Sequence, residues 1–95
     1  MRGLFFGVLF LLFTSGVSVA DTFEGGWDRP GFDYSNFDMF NPREILCQWK
    51  CQQDRRCRAW TFVKPGIQGP QARCWLKNRV PKAVRNSCCT SGIIQ

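Results

Sequence analysis

Six cysteines and not one histidine define the chemistry open to this chain of 95 residues. Without an imidazole, neither a Ser-His nor a Cys-His pair can activate a nucleophile. Paired carboxylates for glycoside hydrolysis would have to come from Asp28, Asp33 and Asp38. Those three fall among turn and strand-edge residues, where a solubilising role accounts for them. The chain has no Cys-x-x-C, and Cys47, Cys51, Cys57 and Cys74 match no common zinc knuckle. The expectation is a chain with no catalytic residues, no cofactor and no metal.

The cysteines read instead as staples. Residues 1–20 have the form of a signal peptide: Arg2, an apolar run from Leu4 to Phe13, and small residues in Ser18-Val19-Ala20. The apolar run is shorter than the roughly 20 residues needed to span a bilayer. No stable membrane anchor is therefore expected after cleavage, and the mature chain would be Asp21–Gln95, secreted or periplasmic. One domain of that size has a core worth only about 3–5 kcal/mol, so staples are expected. Export puts the thiols where disulfides persist.

The elements that must position these cysteines follow from the local sequence. Asp21–Gly31 (DTFEGGWDRPG) reads as an extended leader or loop. Phe32–Phe40 alternates imperfectly between aromatic and polar residues, as an edge strand does. Asn41, Pro42 and Glu44 form a capping-box start for a helix running to about Gln53. Cys57–Val63 and Arg73–Lys77 read as the strands of a hairpin, with Pro65-Gly66 and Gly69-Pro70 in its long tip. Val80–Ser87 reads as a basic loop, and Cys88–Ile94 as a last strand.

Four of the cysteines allow three pairings, and sequence alone does not choose among them. Cys47 and Cys51 lie one helical turn apart with parallel Cβ vectors, so each needs a partner off the helix. The nested arrangement joins Cys51 to Cys57 and Cys47 to Cys74. For Cys88 and Cys89 the expectation is a vicinal bridge, with an intermolecular bridge or two reduced thiols as alternatives.

From Asp28 to Gly92 the chain resembles the PAN/apple domain family, specifically its compact bacterial-type branch. The likeness is carried by DRPGFDY, the helix with Cys-x3-Cys, CRAWTFVKPGIQGPQARCWLK, Val80-Pro81 and the closing CCTSG. The resemblance implies a small disulfide-rich α+β fold, an antiparallel sheet cradling one helix, with the nested disulfides. It also implies a non-catalytic role in binding protein or carbohydrate. The extra bridge that ties the termini of apple domains is missing, since no cysteine precedes Cys47.

Charge and aromatic residues suggest where a ligand would sit. From Asp21 to Leu46 six acids against Arg29 and Arg43 leave −4; from Cys47 onward ten bases against Asp54 leave +9. Such asymmetry permits an anionic partner, while export disfavours nucleic acid. Arg55, Arg56 and Arg58 surround Cys57 and could clamp a sulfate or carboxylate. The plainer reading has Arg55 and Arg56 compensating the helix C-terminus and Arg58 stacking on an aromatic ring. Lys77, Arg79, Lys82 and Arg85 make a second basic set. Trp49, Trp60 and Trp75 are expected in the core, whereas Trp27 in the leader is a candidate contact. Lys64 and Gln68 mark the hairpin tip, a second candidate surface. The leading expectation is an exported module binding a protein; the alternative is an acidic or sulfated glycan.

Overall fold

The computed structural model describes residues 20–95, so the signal-peptide reading of residues 1–20 lies almost wholly outside it. Five strands and one helix follow in the order β1 (Glu24–Asp28), β2 (Asp33–Met39), α1 (Glu44–Gln52), β3 (Ala59–Val63), β4 (Ala72–Lys77) and β5 (Val84–Ile93). The strands form one sheet in the order β1-β5-β3-β4-β2, antiparallel at each pairing. The chain therefore has the small disulfide-rich α+β fold expected of it. At the centre of the sheet, every residue of Ala59–Val63 is buried. β-Branched and aromatic side chains fill such a twice-flanked position well.

α1 packs across β3 and β4. Beneath it Trp60, Phe62, Cys74 and Leu76 form the core with Met39 from β2. The nested disulfides are present: Cys47–Cys74 ties the helix to β4, and Cys51–Cys57 ties its last turn to the chain entering β3. Trp60 is fully buried, with the Phe23 ring 5.5 Å from its own. Gly92 lies opposite Trp60 across the β3–β5 pair. A Cβ at Gly92 would run into the Trp60 indole and the Thr22 carbonyl, so the close approach of three chain segments there needs glycine.

Several elements differ from the sequence reading. The supposed leader supplies β1, an edge strand paired with β5. It is held by Thr22 N–H donating to the Ile93 carbonyl at 3.0 Å. Arg29, 8 % exposed, donates to the Pro81 carbonyl at 2.7 Å and pairs with Glu24. The capping box does not form. Arg43, extended at φ −116° and ψ 126°, is the N-cap and has no side-chain cap. Its N–H donates to the Asn41 carbonyl at 2.9 Å, and this tight turn moves the helix start past Pro42. β5 begins at Val84, inside the expected basic loop.

Trp49 is not core but 50 % exposed, and its neighbour Ile45 is 47 % exposed. Cys47 and Cys51 fix the sheet-facing side of α1, and Trp49 lies about 200° round the helix from Cys47 at 3.6 residues per turn.

Replacing both Cys47 and Cys74 by alanine should lower stability by about 3.5 kcal/mol. Removing Cys51 and Cys57, which close a shorter loop, should cost about 2 kcal/mol. Urea unfolding of the two double variants checks both the sizes and their order.

Candidate functional site: a cleft on the open face of the sheet

Side chains alternate along a strand, so the bond from Cys74 to α1 turns Arg73, Trp75 and Lys77 to the opposite face. Thr61 pairs with Trp75 on one side and with Ser91 on the other, which puts these three in one row across the sheet. Among the described residues no helix covers this face, yet Thr61 is only 2 % exposed. Beside it opens a cleft of about 570 Å³. Its floor is Thr61, Val63, Trp75 and Lys77. One wall is the β1–β2 turn with Asp28 and Asp33, another is Ile67 and Gln68 of the hairpin tip, and the third is residues 86–89 of β5.

The third wall arises from a slip in register. Gly25 pairs with Thr90 and Trp27 with Arg85, so residues 86–89 face only Gly26 across the β1–β5 pair. Gly26 adopts φ 84°, a conformation that disfavours other residues. Bulges of this kind bend a strand and re-aim its side chains. Within the bulge the Cys88 N–H donates to Asn86 Oδ1 at 3.0 Å. Cys88 and Cys89 are bonded to each other. The Asp28 carboxylate lies within 4.8 Å of both sulfurs. Sulfurs held in a disulfide are not the thiolates that metal ligation requires.

Polar contacts hold the walls. The Lys77 side chain is 3 % exposed; its ammonium donates to Asp33 Oδ1 at 2.5 Å and to the Gly31 carbonyl at 3.4 Å. The Trp75 indole N–H donates to Gln68 Oε1 at 2.8 Å, which draws the hairpin tip over the sheet. Arg73 bonds Asp38 at 2.6 Å and Asn36 Oδ1 at 2.8 Å. Phe32, in the turn between β1 and β2, is at φ 60°, a backbone conformation costing about 1 kcal/mol or more. Against these satisfied groups, the buried hydroxyls of Thr61 and Ser91 have no hydrogen-bond partner among the described residues. Hydroxyls, amides, carboxylates and an indole equip the cleft to bind by hydrogen bonding and stacking.

Of the six candidate contacts read from sequence, only Gln68 lines the cleft. Lys64 is exposed just beyond β3. Trp27 lies on β1 with the Arg85 guanidinium 4.9 Å from its ring. Arg56 pairs with Asp54 at 3.0 Å and sits over the Tyr34 ring. Arg58 donates to the Arg55 and Cys57 carbonyls instead of stacking on a ring. The second basic set is dispersed: Lys77 is in the cleft floor, and Arg79 covers the Phe32 ring. Trp75, expected in the core, is half-buried in the cleft floor. Thr61, Asp28 and Asp33 were also missed as site residues. The parity of β4 around Cys74 was the signal that could have found Trp75 and Lys77.

A separate cavity of about 410 Å³ opens on the helix side, between α1 and the edge strand β2. Phe37, Met39, Leu46 and Trp49 line it. Phe40 beside it is 83 % exposed.

At the corner after α1, burial first and the Asp54 carboxylate second push the Tyr34 phenol up to about 12. The hydroxyl completes no well-formed hydrogen bond, although the acid is near enough to raise it. Hydrogen bonds from the Arg56 side chain and N–H hold Asp54 below the usual carboxylate range. Stability from Asp54 is present above that usual range and is lost as pH falls through the depressed value. Stability from Tyr34 is intact below pH 10 and is lost as pH rises towards about 12.

Residues 27–77 match the family of PAN domains, and the chain belongs to that family. No curated protein and no solved structure gives a significant match. The matched segment holds both nested disulfides and the cleft floor from β3 and β4.

Tyr34 is the only tyrosine, so its phenolate absorbance should titrate with a midpoint near 12. In Asp54→Asn the midpoint should drop yet stay above 10, because burial is the larger cause. Asp33→Ala, which strands a buried ammonium, should lose roughly 2 kcal/mol, less than a fully buried pair would. Lys77→Met should lose less than Asp33→Ala; thermal unfolding of both variants reads the difference.

Proposed function

We propose that this PAN domain is an exported, non-catalytic module that binds a protein partner through the groove between α1 and β2. The observation that carries the reading is Trp49, half exposed and lining an apolar groove with Phe37, Met39 and Leu46. Large aromatic residues left at the surface of so small a domain suit an interface anchor. β2 is an end strand of the sheet, so its outer edge offers unpaired backbone groups directly beside the groove. An extended segment adding to that edge could place an apolar side chain between Phe37, Met39 and Trp49. Export is supported by the disulfides and by the signal-like residues 1–20. A non-catalytic role is supported by the lack of histidine.

The acidic-glycan alternative rested on basic side chains, the arginine corner among them, together with Trp27 as an exposed contact; the Arg85 guanidinium lies over that ring. At the corner Arg56 is matched to Asp54, and Arg58 is folded onto backbone carbonyls. Charges already satisfied inside the domain are a weaker clamp for sulfate, which favours the protein reading.

Selection of a displayed peptide library on the oxidised domain should return extended peptides carrying an apolar residue. Their binding should fall about tenfold or more in Trp49→Ala. Peptides that bind Trp49→Ala as well as the parent would sink the groove as the interface.

A further inference from the structure

The Cys88–Cys89 bridge lies outside the core cluster beneath α1 and takes no part in the peptide groove. The other four cysteines are no more than 1 % exposed, so their bridges are closed to solvent. Cys88 is half-buried, and it lines the cleft together with Cys89 and Asp28. We propose that a dithiol reductant opens this bridge selectively, and that the two thiolates and the Asp28 carboxylate then hold one thiophilic divalent cation.

Thiol–disulfide exchange proceeds by attack of a thiolate on one sulfur, so access decides which bridge opens. A thiolate of the reductant attacks Cys88 Sγ, the more exposed of the pair, and Cys89 Sγ leaves as a thiolate. The reductant's second thiol then attacks the mixed disulfide, which frees Cys88 and closes the reductant into its own disulfide. Two electrons pass to the pair. The two protons of the reductant's thiols go to solvent once the cation binds both sulfurs.

The donors are already gathered. Both sulfurs and the Asp28 carboxylate lie within 4.8 Å of one another. Ligand atoms around a tetrahedral zinc-sized ion stand roughly 3.5–4 Å apart, which small side-chain rotations can reach. The backbone that carries them is fixed from outside the bridge. Asp28 pairs with Val84, Cys89 pairs with Val63, and the Cys88 carbonyl accepts from the Lys64 N–H at 3.0 Å. Opening the bridge therefore leaves the three donors side by side. Asp28 accepts the Arg29 N–H at 2.7 Å, and among the described residues it joins no ion pair. A divalent cation offsets most of the charge of two thiolates and a carboxylate. Sulfur donors select Zn²⁺ or Cd²⁺ over Mg²⁺ and Ca²⁺, and the cleft leaves the fourth position to water.

This site lies across the sheet from the peptide groove, so the two readings fail separately. In the test, the oxidised domain is treated with limiting dithiothreitol, desalted without oxygen and titrated with Cd²⁺. Alkylation of the reduced sample should label Cys88 and Cys89 and leave the nested bridges intact. Cd²⁺ should raise a thiolate-to-metal charge-transfer band that saturates at one ion per chain; Zn²⁺ should displace it and Mg²⁺ should not. Asp28→Asn should bind Cd²⁺ about tenfold or more weakly. The double variant Cys88→Ser, Cys89→Ser should keep the fold through the nested bridges and give no band. The proposal is overturned if the nested bridges open first or all three open together, or if no band appears. A band that survives in the double variant, saturates at one ion per two chains, or is unweakened in Asp28→Asn would overturn it equally.

Discussion

The bond between Cys47 and Cys74 decides more than the distance from helix to sheet. β4 lies between β3 and β2, and a strand shifted by one residue presents the opposite set of side chains to each face. Fixing Cys74 to α1 removes that freedom. Leu76 and Ala72 must then share the helix side with Phe62, and Arg73, Trp75 and Lys77 must face outward. The core and the cleft floor are thus two results of one covalent constraint, and neither could move without the other. Cys51–Cys57 plays a more local part, holding the turn between α1 and β3.

Charge is used in the same way. The acidic first part of the chain and the basic second part come together as ion pairs between neighbouring strands. Asp38 and Asp33 of β2 meet Arg73 and Lys77 of β4. An excess of positive charge that looked available for an outside ligand is thus partly spent in binding an edge strand to the sheet. Such exposed pairs are individually worth little, typically under about 1 kcal/mol. Lys77 is different, because its side chain is buried and its partner is a requirement.

Much of the fold could be read from the residues. The hairpin of β3 and β4, the edge strand β2 and the helix followed from local patterns, whereas the nested bridges needed helix geometry and the family resemblance together. β1 could not be read this way, because Glu24-Gly25-Gly26-Trp27 has no strand pattern. Its extended form is imposed by β5 and by Arg29 reaching the Pro81 carbonyl across the chain. The helix start was misplaced because Asn41 has the right side chain but uses its backbone carbonyl instead. The site was the least legible part. Arginines and an apparently loose tryptophan drew attention by type, whereas the cleft exists only through walls supplied by three distant segments.

The slip between β1 and β5 frees four consecutive residues of β5 from any partner on β1, while the pairs on either side of them stay in place. On its other side the stretch is held to β3, where Cys89 pairs with Val63 and the Cys88 carbonyl accepts from the Lys64 N–H, so among the described residues Asn86 and Ser87 are the two of it with no strand partner on either side. This wall of the cleft is therefore least constrained by strand pairing at those two positions. Substitutions at Asn86 and Ser87 would change the lining of the cleft while leaving the stapled core beneath it untouched.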